Sequence, residues 1–277
     1  MNPDQELQKR IEAVRSKGFS GGRIQLHRAL YRVSLQKRML LIALLLPLLF
    51  NLLLLISIDV IVPFWFAVLK FWFDATNLPH SMVAAPFDLV VATVWLPRIE
   101  IYASAPTQLQ WWISAIGCVV LWLSTKLMAP ARLLPLIYVF RAAVLIQITA
   151  LVYFALVPGA FPHGLGTYLF SGLAMGLVLM FLIPWILGLT YYIFNFSLPQ
   201  KLALTALLLA YFALALPFQF ALHTLLLWHW SLLYLPLFYL LFGSFLDVMM
   251  FIAFYSWGMS WRWSTFSPRR RQLQDAV

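Results

Sequence analysis

The sequence predicts an all-α integral membrane protein. Its expected parts are six transmembrane helices, an N-terminal basic amphipathic elbow helix, an outer-face interfacial helix and a small β-prone extracytoplasmic segment. Three observations carry this. Hydrophobic residues make up 63% of the chain and charged residues only 10%, against roughly 45–50% and 25% in soluble domains, too little charge for a water-facing surface. Six apolar segments reach the roughly 20 residues needed to cross a hydrocarbon core of about 30 Å. The basic residues then fall almost entirely on one side of the resulting layout.

Residues 1–38 read as a cytoplasmic basic amphipathic arm. Leu7, Ile11 and Val14 recur at helical spacing among Lys9, Arg10, Arg15 and Lys17. "GFSGG" (18–22) interrupts the pattern, and Leu26, Leu30 and Val33 resume it opposite Arg28 and Arg32. Such a piece suits the surface of an anionic leaflet, and the same residues could dock a cytoplasmic partner. The first apolar run starts only at Met39, behind this charged region, so no cleaved signal peptide is expected.

Span one covers 39–58. A single helix from 39 to 73 would be about 52 Å long, well beyond the hydrocarbon core, so the chain is expected to bend or end near Asp59. In the following "DVIVPFWFAVLKFWFD", Pro63, Ala67, Lys70 and Asp74 fall on one narrow polar or small stripe. The triplets Phe64, Trp65, Phe66 and Phe71, Trp72, Phe73 fill most of the rest. That predicts an interfacial anchor in the outer leaflet, with the rings at headgroup depth. Residues 59–108 form the only sizeable outer segment. Within it, 87–96 and 98–105 are rich in β-branched and aromatic residues on either side of Pro97. They are expected to make two short strands that pack on the bundle or join a partner's sheet.

A five-helix transmembrane region fills 109–257, with spans at 109–129, 136–157, 168–194, 201–222 and 231–257. A basic cytoplasmic tail, 258–277, ends in "SPRRR" and its sequel. With both termini inside, all 19 Lys and Arg except Lys70 and Arg98 lie on the cytoplasmic side, as orientation by positive charge requires. The net charge of +10 is therefore read as topology and lipid contact, with no nucleic-acid partner.

The expected location is a bacterial inner membrane. Expected partners are membrane lipids and other membrane or periplasmic protein subunits.

Asp247 is the only acidic residue deep in a predicted span, and a charge there is expensive enough to suggest a function. Arg141, Gln147 and Gln219 are its candidate companions in an intramembrane polar group. The contact is read either as an interhelical clasp or as a proton or ion site. Gly172 and Gly176 form a GxxxG pattern suited to close helix packing, and Pro184 and Pro217 are expected to kink their spans. His80, His163, His223 and His229 map to the outer side without helical ligand spacing, so no metal or cofactor is assigned. A lone cysteine, Cys118, forms neither an internal disulfide nor a thiolate cluster. No phosphate-binding loop or nucleophile motif occurs.

The leading expectation is a non-enzymatic subunit of an envelope transport, secretion or polymer-export complex. The alternatives are a transporter with a polar path centred on Asp247, and an outer-face enzyme for a lipid-linked substrate using Asp74, His80, Asp88 or Glu100.

Overall fold

The computed structural model describes residues 37–89, 92–101, 105–127, 133–157, 161–193 and 197–261. All but the end of the basic arm and most of the basic tail therefore lie outside the described residues. In chain order the elements are α1 (Lys37–Ala75), β1 (Ser81–Asp88), β2 (Thr93–Glu100), α2 (Gln108–Leu127), α3 (Leu134–Leu156), α4 (Leu165–Ile193) and α5 (Leu198–Trp230). The last, α6 (Leu232–Ser260), opens with a 3-10 turn at Leu232–Tyr234 and contains a π-helical segment at Phe238–Phe245. Five of these helices, α1 and α3 to α6, are long and apolar enough to cross a membrane. The 20-residue α2 is diluted by Gln108, Gln110, Ser114, Ser124, Thr125 and Lys126.

The first helix corrects an expectation. The chain does not leave the helix near Asp59: α1 runs on as one helix of 39 residues with Pro47 and Pro63 inside it. The reason lies in the phase of its buried side. Leu46, Phe50, Leu54, Val62, Trp65, Leu69 and Phe73 are all buried, a stripe that stays on the helical period straight past Asp59. Asp59 and Pro63 lie on the exposed side, where a missing backbone hydrogen bond meets no neighbouring helix. At 1.5 Å per residue the helix is about 58 Å long, twice the hydrocarbon thickness.

The aromatic triplets divide accordingly. Trp65 and Phe73 are fully buried, Phe64 and Phe66 are half-buried against the core, and only Phe71 and Trp72 stay exposed. An anchor with all six rings in the headgroup zone does not fit this burial. The small or polar stripe, Pro63, Ala67, Lys70 and Asp74, does face outward.

Trp65 is held for a specific reason. Pro217 in α5 has no N–H, so the carbonyl four residues earlier, that of Ala213, loses its helical partner. The Trp65 indole N–H donates to that carbonyl at 2.8 Å. A side chain of α1 thus supplies the bond that a proline in α5 removed.

The strands are real but displaced from the expected ones. They pair antiparallel with Ser81 opposite Glu100 and Asp88 opposite Thr93, so the turn falls inside the first predicted strand. Thr93 Oγ1 donates to Asp88 Oδ1 across the tip at 2.7 Å. Leu89 N–H bonds to the Ala92 carbonyl; alternation from that pair makes Pro86/Trp95 and Ala84/Pro97 non-hydrogen-bonded pairs. Each proline therefore sits where an N–H would point away from the partner strand. One proline blunts each outer edge, which works against a third strand joining the sheet. The hairpin packs instead on the bundle, with Val94, Leu96 and Ile99 buried. Gly166 permits this, because a Cβ there would collide with the Ile99 carbonyl oxygen.

Two bodies of unequal size result. The hairpin, α1, α4, α5 and α6 share one large core. The pair α2–α3 packs chiefly on itself and meets the rest through residues 232–237, around a small cluster of Cys118, Val144, Leu151, Phe154 and Leu233. In the large body glycines bring backbones together. A Cβ on Gly172 would strike the Phe220 ring, one on Gly176 the Leu216 side chain, and one on Gly188 both Pro47 and the Ala43 carbonyl oxygen. The GxxxG pattern thus faces α5 of the same chain.

Candidate functional site

The intramembrane polar group lies where α4, α5 and α6 meet. Gly258 of α6 rests on Leu204 of α5, which fixes the register of those two helices. Counting 1.5 Å per residue from that contact, Asp247 stands about 16 Å along α6, and Gln219 and His223 stand about 22 and 28 Å along α5. Asp247 is 7% exposed, and the Gln219 side chain lies beside it. The same amide donates to the Phe242 carbonyl at 2.9 Å, inside the π-helical segment. Such segments are rare and recur at functional sites; this one ends two residues before Asp247. The Asp247 carboxylate also lies close enough to Tyr168 and Tyr211 for its charge to act on both phenols.

Above this, the Tyr168 hydroxyl and His223 Nδ1 share a buried hydrogen bond of 2.8 Å. Tyr239 closes on Tyr168 with ring centroids 6.2 Å apart, and Phe220 and Phe238 flank the imidazole. The arrangement is a ladder of carboxylate, amide, imidazole and phenols enclosed by aromatic rings. Chemically, every one of these groups except the amide can both accept and release a proton.

A second polar group occupies the other end of the same helices. The Tyr191 hydroxyl donates to the Lys201 carbonyl at 3.2 Å and shares a bond of 3.1 Å with Thr205. Lys201, itself buried, holds its ammonium 5.8 Å from the Tyr191 ring centre. The Tyr255 phenol of α6 stands beside Thr190, whose own hydroxyl donates to the Leu187 carbonyl.

Of the residues expected around Asp247, only Gln219 is there. Arg141 donates from Nε to Thr125 Oγ1 at 3.3 Å and covers the Trp122 ring. Gln147 donates from Nε2 to Ser114 Oγ at 3.0 Å and to the Leu233 carbonyl at 3.2 Å. Both belong to the α2–α3 pair, so the expected Asp247–Arg141 and Asp247–Gln147 contacts give way to clasps inside that pair and at its attachment. Tyr168, Tyr211, Tyr239 and the second polar group escape a search for partners of Asp247 that is confined to charged and amide side chains. One signal was available: Gln219 and His223 are four residues apart and share a helix face.

The four histidines expected on the outer side take separate partners. His80 Nδ1 bonds to the Leu78 carbonyl at 2.8 Å, with Asp74 3.8 Å from its other nitrogen. His163 and His229 stand edge-on to Phe161 and Trp228. Nor do the carboxylates expected outside converge: Glu100 is at the hairpin base beside Ser81, and Asp88 is at the tip, about 23 Å away along the strand. A cleft of about 680 Å³ opens beside the hairpin base and the start of α4, lined in part by Arg98, Glu100, Gly164 and Thr167.

No known protein family, curated protein sequence or solved structure matches this chain.

Proposed function

We propose that this chain is a six-span inner-membrane transport protein whose working part is the polar path through α4, α5 and α6, centred on Asp247. One observation carries the reading. A carboxylate buried near mid-helix has an amide and phenols around it and, among the described residues, no basic side chain paired with it. A clasp whose purpose is stability is better served by neutral partners, since an unpaired charge in hydrocarbon costs roughly 2.5–3.5 kcal/mol on insertion scales. The neighbouring π-helical segment adds a backbone whose hydrogen bonds can shift register.

The sixth span in this reading is α2. Its 20 residues make about 30 Å, matching the hydrocarbon core, and its companion α3 carries Arg141 bonded to Thr125 near α2's Lys126 end. With six crossings and both termini cytoplasmic, Lys70 and Arg98 are the only basic residues outside.

The test is water access. On a Cys118→Ala background, Gln219→Cys and Tyr239→Cys should react with a membrane-impermeant thiol reagent far faster than Leu214→Cys and Val248→Cys, whose native side chains are exposed on the bundle's outside. If the path positions react as slowly as those two, the group is a dry clasp.

A second reading, membership of an envelope complex, is favoured by α2–α3, which packs chiefly on itself and exposes Trp112, Trp122, Tyr138 and Tyr153. Purification in mild detergent tests it: a protein that always elutes alone at monomer mass is not a complex subunit.

A further inference from the structure

We propose that the path carries protons and that Phe251 divides it into two half-paths. This rests on the transport reading above and goes further, since it names the transported species and the gate.

The argument starts from α6. Asp247, Phe251 and Tyr255 stand at i, i+4 and i+8, on one stripe of the helix. Phe251 therefore lies between the carboxylate of the outer group and the phenol of the inner one, which are about 12 Å apart along the axis. Its ring lies parallel to that of Tyr255, at 5° and 6.5 Å between centroids. On the facing helix, Tyr211 comes level with Phe251 and is covered by Phe254, at 5.1 Å. Below Gln219, the buried positions of α5 are apolar as far as Thr205, with Leu208, Phe212 and Leu216 all fully or almost fully enclosed. Two ladders of exchangeable hydrogens thus end on either side of one layer that is apolar except for the Tyr211 phenol, which Phe254 covers.

The donor set selects the proton. A bare metal cation asks for roughly six or more oxygen ligands around one point. Here the groups are single and strung out along the helices: imidazole and phenol at the Tyr168–His223 bond, one carboxyl at Asp247, then phenols and hydroxyls at Tyr255, Thr190, Tyr191 and Thr205. A proton entering at the outer end adds to one nitrogen of His223 as another leaves the opposite nitrogen. Asp247 takes it up, becomes neutral, and is ionised again when it releases the proton across the layer. Past Phe251, Tyr255 accepts on oxygen as its own hydroxyl proton passes inward. Only O–H and N–H bonds form and break, and an electrochemical gradient supplies the drive.

The experiment uses the full chain in phospholipid vesicles loaded with a pH-sensitive dye, with a potential imposed by potassium and valinomycin. Phe251→Tyr keeps the ring and places a hydroxyl in the layer. Phe251→Ser opens the layer and leaves a polar group, avoiding the dry void an alanine would leave. Each should raise proton flux roughly tenfold over Phe251→Leu, equivalent to about 1.4 kcal/mol off the barrier, and Asp247→Asn added to either should return the flux to the Phe251→Leu level. The two replacements fill the site differently, so a folding failure of one leaves the other to decide.

No rise in either variant, or a rise that Asp247→Asn leaves untouched, overturns the proposal. If the cysteines of the path are water-accessible and flux still does not rise, transport stands and the proton falls. If the cysteines are unreactive as well, both fall.

Discussion

Two glycines show how differently the two bodies of this protein are held. Gly172 of α4 lies so close to Phe220 of α5 that a methyl group has no room, whereas Gly117 of α2 has nothing within 4 Å of where its Cβ would be. In a bilayer, apolar surface gains little by leaving lipid for protein, so helices associate through close backbone approach and polar bonds. The large body has the first in several places, at Gly172, Gly176, Gly188 and Gly258. The α2–α3 pair depends on the second: Trp111 Nε1 to the Leu151 carbonyl at 2.9 Å, Arg141 to Thr125, and Gln147 to Ser114 and Leu233. The first body is wedged together and the other is tied on.

The sharpest way to break this contrast is to put side chains on the glycines. Gly172→Leu should force α4 from α5 and destabilise the protein by at least the roughly 1–3 kcal/mol typical of overpacking, read as a lower thermal midpoint in detergent. Gly176→Ala should act the same way more mildly, since its Cβ would come 2.6 Å from Leu216. Gly117→Ala should be neutral or raise stability by up to about 1 kcal/mol, because it meets open space and gains helix propensity. Equal losses at Gly172 and Gly117 would remove the distinction between the bodies.

Next in size is Trp65→Phe, which keeps an aromatic ring but leaves the Ala213 carbonyl without its donor. A buried orphan of that kind costs roughly 1–3 kcal/mol. Pro217→Ala restores the backbone N–H that the carbonyl lacks, so Trp65→Phe should cost clearly less on that background. A double-mutant cycle in detergent unfolding measures the coupling; additive effects would show that Trp65 contributes packing alone.

These residues also show what sequence could and could not reveal. The membrane class was legible because composition alone excludes a water-facing surface. Asp247's burial was legible for the same reason, and Gln219 beside it, but the rest of its surroundings were not. Arg141 and Gln147 sit on helices that attach elsewhere, and depth along a span does not say which helices are neighbours. The length of α1 was misread because Asp59 and Pro63 look like a stop. The buried stripe from Leu46 to Phe73 keeps its phase through both, and phase decides when the interrupting residues face away from the bundle. The strands were misplaced because Pro97 looked like an interruption. It is a strand residue at a non-hydrogen-bonded position, where a missing N–H costs the ladder nothing. The pairing of Trp65 with Pro217 joins positions about 150 apart in sequence, and neither residue alone predicts the other.

The smallest expected effect tests the tie. Gln147 is buried, and its Nε2 holds both α2, through Ser114, and the start of α6, through the Leu233 carbonyl. Its Oε1 has no hydrogen-bond partner among the described residues, so part of the desolvation cost of the amide is not recovered. Interhelical polar bonds in membranes average about 0.6 kcal/mol. Gln147→Leu should therefore hardly move the global midpoint. Its effect should be local, because the Gln147 amide is one of the few bonds between the pair and the large body. Backbone hydrogen exchange at 232–237 and along α3 should speed up while α4 and α5 keep their protection. If exchange accelerates evenly through all the helices, the two bodies unfold as one unit, and the pair is wedged as firmly as the rest.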